Sequence, residues 1–160
     1  MKHFIWMVAL GAVLTFAVPG GPVWAQAADP LDGTWTLNAA KSKFNAGPAI
    51  KSQTRKYEVS GNEVKQTLDG TDANGKSTHI TFTAHYDGKD YPVSGNPDAD
   101  TISVKRTDTH SAKSVLKKDG KPTLTTVRHV SKDGKTLTMT TTGTDAKGEK
   151  VDNVLVFDRQ

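Results

Sequence analysis

Cysteine is absent from all 160 residues. No disulfide can brace the fold, no thiolate can act as nucleophile, and no N-terminal cysteine is available for lipidation. Charge of one sign is never concentrated either. Charged residues make up 24% of the chain and the net charge is +4, but lysines and acids are interspersed along its whole length. That pattern is a solvated surface without the basic stripe of a nucleic-acid footprint, so no nucleic-acid partner is expected. Beyond residue 27 there is no long apolar run and no segment with apolar residues at helical spacing. This excludes a membrane-spanning helix or a helical bundle for that part of the chain.

What is present starts with a leader. Met1, Lys2 and His3 give a short basic start, Phe4 to Val18 is apolar and uncharged, and Pro19 to Pro22 break the run. Ala25-Gln26-Ala27 then matches the small-x-small pattern read by signal peptidase. Residues 1–27 therefore read as a signal peptide, too short to span a bilayer comfortably, with cleavage after Ala27. The remaining 28–160 read as a single periplasmic or secreted domain, long enough to bury a core.

That domain alternates apolar with polar residues and is rich in threonine, the mark of half-buried strands. Strands are expected over Gly33–Leu37, Lys51–Ser60, Asn62–Leu68, Lys76–Tyr86, Thr101–Thr107, Ser111–Lys118, Lys121–Ser131, Thr136–Thr142 and Glu149–Phe157, with a short one at Tyr91–Val93. The interval Asn38–Ile50 is expected to hold a helical turn around Ala39–Phe44 and a loop at Gly47-Pro48. Asp-Gly at 87–88, 119–120 and 133–134, and Asn-Gly at 74–75, mark two-residue hairpins. Consecutive hairpins make an up-and-down meander. Closure into an all-β antiparallel barrel of about eight to ten strands removes its two edges; an open sandwich is the competing arrangement.

Gly70 to Ser77, GTDANGKS, fits the phosphate-cradling pattern G-x-x-x-x-G-K-[ST]. A true cradle opens a helix, but here Ile80, Phe82, Ala84 and Tyr86 alternate with polar residues, so a strand follows. Gly143 to Lys150, GTDAKGEK, repeats the stretch with Glu149 where the motif needs lysine. What the copies share is Gly, Asp and Gly, the residues that shape a turn. Both are expected to be hairpin tips.

LDGTWTLN opens the first strand, and its Gly33-x-Trp35 resembles the G-x-W signature of the lipocalins and their fatty-acid-binding relatives, the calycins. The resemblance implies that Trp35 plugs the narrow end of a barrel and that Arg159 supplies the basic side chain that packs across it. In length, strand count and the final VLVFDR, the chain is similar to small secreted bacterial lipocalin-like domains. It departs from lipocalins in lacking a C-terminal helix and a disulfide, and Asn38–Ile50 is too short for the two-helix lid of fatty-acid-binding proteins. Those proteins hold a carboxylate with Arg-x-Tyr in the last strand. The corresponding positions here are Leu155 and Phe157, which cannot do so.

If Trp35 points inward, alternation places Tyr57, Val64, Leu68, Ile80, Phe82, Tyr86, Ile102, Val104, Leu137 and Met139 inside with it. Either a filled core or a cavity for one apolar ligand is compatible with this set. Arg106 shares the face of Ile102 and Val104, and Arg128 that of Leu124 and Val130. Inside the barrel either arginine needs a counter-charge, from a ligand or from an acid such as Glu58; at a barrel mouth, water meets the need. The candidate ligand-binding residues are thus Trp35, Tyr57, Phe82, Tyr86, Ile102, Val104, Arg106, Arg128 and Met139.

No catalytic constellation, metal or cofactor is expected. His79 and His85 are too far apart on one strand to share a metal, and His110 and His129 sit on other hairpins. Asn96, Asp98 and Asp100 make half a calcium loop, but Thr101 and Thr107 stand where glycine and glutamate are needed, and turn capping explains the same letters. The outward faces, Thr, Lys, His and Asp, do not suit an outer-membrane barrel. The expected function is binding or carriage of a small hydrophobic or amphipathic ligand. The alternative is a filled barrel acting as a protein-interaction or inhibitor module through Tyr91–Asp100 and Asp133–Lys135.

Overall fold

Strict alternation of buried and exposed residues governs the architecture. The computed structural model describes residues 28–46, 50–72 and 74–160; the leader assigned to 1–27 and the loop at Gly47-Pro48 lie outside the described residues. Eleven strands follow one another: β1 Gly33–Leu37, β2 Lys43–Ala46, β3 Ile50–Ser60, β4 Glu63–Asp72, β5 Ser77–His85, β6 Asp87–Ser94, β7 Thr101–Arg106, β8 Ser111–Lys118, β9 Lys121–Val130, β10 Thr136–Thr144 and β11 Lys150–Arg159. From β3 to β11 each pairs antiparallel with the next, and β1 closes the ring by pairing with both β3 and β11. The result is a ten-stranded up-and-down barrel with β2 as an extra strand, which settles the choice between barrel and sandwich.

β2 replaces the helical turn expected around Ala39–Phe44. Two successive tight turns form, Lys41 N to Asn38 O and Ser42 N to Ala39 O, each 3.2 Å, and the chain then goes straight into a strand. The reason lies on β11. β1 ends at Leu37, leaving the edge of β11 uncovered around Asp152–Val154, and β2 pairs there. An uncovered strand edge is a stronger local demand than one more helical turn.

Hairpin chemistry is more varied than the two-residue expectation. Asp119 (φ 50°) and Gly120 (φ 75°) both take positive φ, the geometry expected of a type I′ tip. At 74–75, 87–88 and 133–134 the glycine alone does so. The two GTDA stretches form matching tips. Asp72 N donates to Lys76 O and Gly75 N to Asp72 O, while Asp145 N donates to Glu149 O and Gly148 N to Asp145 O. In each, the leading aspartate's Oδ1 accepts two further backbone N–H groups, from Asn74 and Lys76 in one and from Lys147 and Glu149 in the other. Strands flank both, and no helix begins there. The first glycine of the second copy has its own cause: a Cβ on Gly143 would lie 2.1 Å from the Thr123 carbonyl oxygen.

The two ends of the barrel differ. At one end Trp35 is fully buried and donates through Nε1 to Leu31 O at 2.8 Å. Arg159 covers it, with its guanidinium carbon 4.2 Å from the ring centre and N–H groups on the carbonyls of Pro30, Asp32 and Gly134. Gly33 is glycine because its φ is +124° and a Cβ would meet Arg159 Nη1 at 2.7 Å. Tyr57, Val64, Val104, Val130, Leu137 and Phe157 fill this closed end. The GTDA tips, residues 94–100 and the Asp119-Gly120 turn ring the other end, which is open.

Candidate functional site

Above the closed end the interior is not filled. A cavity of about 240 Å³ is lined by every strand from β3 to β11, and widens into a vestibule of about 800 Å³ between the hairpin tips. One part of its wall is apolar: Leu68, Phe82, Ile102, Leu116, Val151 and Leu155. Burying a ligand's apolar surface there is worth roughly 25 cal/mol per Å².

The other part is polar, and cross-strand register builds it. Asn153 on β11 stands opposite Thr141 on β10, Thr141 opposite Thr126 on β9, and Thr126 opposite Ser114 on β8. All four border the cavity, forming a belt across four neighbouring strands. The Thr126 and Thr141 hydroxyls bond each other at 2.9 Å. Asn153 Oδ1 is buried and has no hydrogen-bond partner.

Arg55 completes the polar wall. Its Nε donates to Gln53 Oε1 at 2.8 Å and its Nη1 to Gln66 Oε1 at 3.2 Å, and the guanidinium lies 5.3 Å from the centre of the Phe157 ring. Gln53 and Gln66 are both buried. Every hydrogen-bond acceptor found for this cation is thus a neutral amide oxygen.

The nine residues selected from sequence divide between two places. Phe82 and Ile102 border the cavity. Trp35, Tyr57, Tyr86, Val104 and Met139 are buried in the core below it. Arg106 and Arg128 belong to that lower layer too. Arg106 Nη2 forms an ion pair with Asp29 at 2.6 Å, and the guanidinium carbon lies 4.1 Å from the Tyr86 ring centre. Arg128 is 6% exposed, donates to Tyr86 Oη at 2.7 Å, and faces the rings of Tyr57 and Tyr86. The mouth position weighed from sequence is wrong for Arg128: it is among the most enclosed charged groups, because the two rings and the Tyr86 oxygen replace water around it. Burial pushes the Tyr86 phenol pKa upward, so it remains a neutral hydroxyl and serves Arg128 as an acceptor. Glu58 is not the internal acid; it is exposed and pairs with Lys56 and Lys65.

The remaining polar candidates are accounted for locally. Asn96 Oδ1 accepts from Asp98 N, Asp98 Oδ1 from Ala146 N, and Asp100 Oδ2 from Asp119 N, so each caps a turn. His79 pairs with Asp69 on the surface. His110 and His129, separated in sequence, come together with ring centres 6.5 Å apart, and His129 Nδ1 bonds Ser111 Oγ at 2.8 Å. Of the two tips weighed as interaction loops, 91–100 borders the vestibule while 133–135 lies at the closed end under Arg159. Val127 is the one large apolar side chain exposed among the described residues. No helix there is long and apolar enough to cross a membrane.

Sequence reasoning missed Arg55, Gln53 and Gln66. The signal was available, since Arg55 and Gln53 share the period-2 face of Tyr57, and Gln66 that of Val64 and Leu68. Ser114, Thr126, Thr141 and Asn153 also share inward period-2 faces, with Leu116, Val130, Met139 and Leu155, but their adjacency as a belt exists only through register.

No family model and no curated protein matches the chain. Among solved structures, it is similar to a redesigned β-barrel, mFAP1, bound to DFHBI, with 13% identity over 81% of this chain and 95% of that one and a TM-score of 0.43. It is also similar to the zebrafish ileal bile acid-binding protein complexed with cholic acid, with 11% identity over 82% of this chain and 99% of that one and a TM-score of 0.48. The fold itself is a closed antiparallel barrel with Trp35 buried at one end under Arg159.

Proposed function

We propose that this chain is an exported binding protein that carries a small hydrophobic or amphipathic molecule in its barrel and performs no chemistry on it. The observation that carries the reading is the cavity above the Tyr57–Phe157 layer, apolar on one side, polar on the other and open to the vestibule. A barrel built only as a rigid scaffold gains stability by filling such space, since unfilled volume in a core costs stability. Export follows from the leader and fits a domain that needs no reduced thiol.

The test is uptake of a neutral, environment-sensitive fluorescent probe by purified 28–160, repeated with Leu116→Trp. Leu116 borders the cavity and is partly exposed to it, so the larger ring fills space without disturbing the closed-end core. Saturable uptake that Leu116→Trp abolishes, with an unchanged unfolding midpoint, supports carriage. Uptake unaffected by the substitution, or no uptake at all, sinks it.

A further inference from the structure

We infer that the cavity is built for a compact organic anion, a carboxylate with a further hydrogen-bond donor, held by Arg55 at one wall and Asn153 at the other. This rests on the carriage reading above and specifies its ligand.

Charge is the first argument. All four arginines of the chain are turned against aromatic rings, Arg55 on Phe157, Arg106 on Tyr86, Arg128 on Tyr57 and Tyr86, and Arg159 on Trp35. The lysines lie outside: every described one is exposed except the half-buried Lys117 and Lys118. Below the mouth, the one ion pair made by these arginines among the described residues is Arg106 with Asp29. Arg159 donates to three backbone carbonyls, and Arg128 donates to Tyr86 Oη. Arg55 alone borders the cavity. Its neutral partners, Gln53 and Gln66, fix the guanidinium plane through Nε and Nη1 without neutralising it. A cation held in place beside a cavity, with no carboxylate paired to it, favours an anion from outside.

Second, Asn153 points to a ligand without reference to charge. Asn153 is 6% exposed, borders the same cavity, and leaves its Oδ1 without a partner. A buried acceptor left unpaired is costly, and a donor on the ligand removes that cost. The hydroxyl belt of Thr141, Thr126 and Ser114 beside it offers further partners to the same polar group.

Size is the third. A dry cavity of roughly 150 Å³ is enough for benzene, so this one takes a ligand of about ten non-hydrogen atoms, the size of octanoate. Asp98 and Asp145 border both the cavity and the vestibule, where Asp72 and Glu149 join them; Asp72, Asp98 and Asp145 each accept from backbone N–H groups of the tips, away from Arg55. The anionic end of the ligand therefore belongs at Arg55, with apolar atoms against Leu68, Ile102 and Leu116.

The test is titration calorimetry of 28–160 with octanoate, octan-1-ol, octylammonium and the 2-, 3- and 8-hydroxyoctanoates. Octanoate should bind at least about tenfold tighter than octanol, and octylammonium should bind weakest. At least one hydroxyoctanoate should exceed octanoate, and that gain should vanish in Asn153→Leu. Arg55→Gln should bring the octanoate-to-octanol ratio to about one while leaving octanol affinity within about threefold; Arg55→Lys should restore part of the preference. Octanol binding as well as octanoate in the wild type overturns the inference and leaves carriage standing. A preference that survives Arg55→Gln also overturns it. Silence with every compound overturns the inference and counts against carriage as well. The wild-type ratio decides the matter even if a variant fails to fold.

Discussion

The Arg159 guanidinium lies 4.2 Å from the centre of the Trp35 ring, and the two residues face each other in register on β11 and β1. The contact joins the last strand to the first, while the same guanidinium ties down the entry segment at Pro30 and Asp32 and the β9–β10 tip at Gly134. Lysine cannot reproduce this, having no planar face and no fork of donors. Arg159→Lys should lower unfolding free energy by about 1–3 kcal/mol, through lost stacking and unpaired carbonyls. Urea unfolding followed by Trp35 emission measures it. An unchanged midpoint would show that the clamp is ornamental.

Tyr57 presents the opposite case. Its ring is 1% exposed and packed, but its Oη is buried without a partner. Tyr57→Phe keeps the ring and removes the orphaned hydroxyl. Stability should stay level or rise by about 1 kcal/mol, measured by the same unfolding curve. A clear loss would mean that the hydroxyl has a partner essential to the core.

Acid should weaken the hairpin tips and edges in a defined window. Asp133 is held below its usual pKa by the Ser131 hydroxyl, Asp158 by the Asn38 amide, Asp87 by the Lys89 backbone N–H and Asp108 by that of His110. A carboxylate whose folded pKa is lowered contributes stability above its unfolded value, 3.8 here, and loses that contribution as pH falls through the folded value. The thermal midpoint should therefore be flat near neutrality and decline below about pH 4. Asp133→Asn with Asp158→Asn should start lower and decline less steeply. A double variant that follows the wild-type acid limb would exclude these groups as its source.

The twin tips give a control built into the chain. Lys76 and Glu149 occupy the same place in matching turns, and each contributes its backbone rather than its side chain. Lys76→Glu should change stability by less than about 0.5 kcal/mol, and added ATP should shift neither wild-type nor variant midpoint. An ATP-dependent shift lost in the variant would revive the phosphate-cradle reading of GTDANGKS.

How far the sequence was legible depends on the reach of each signal. Period-2 alternation is local, so the strands, the inward faces and the barrel were readable, and Gly33-x-Trp35 with Arg159 placed the closed end. β2 was not, because Lys43–Ala46 offers one large apolar residue, Phe44, and its strand state depends on the free edge of β11 over a hundred residues away. Partner identity failed for the same reason. The ion pair of Arg106 with Asp29 spans 77 positions, and the bond of Arg128 to Tyr86 spans 42. Arg55 was on the inward face of Tyr57 in plain view, yet a lone arginine in a strand ordinarily reads as surface. Whether the interior is filled depends on the sum of side-chain volumes around the barrel, which no single strand records.

The most direct test of carriage is native mass spectrometry of the protein purified gently from its own export compartment. Carriage requires a discrete added mass, on the order of a ten-atom ligand, lost on denaturation and absent from Leu116→Trp. A bare mass for wild type and variant alike, with no uptake of neutral apolar probes, would contradict it.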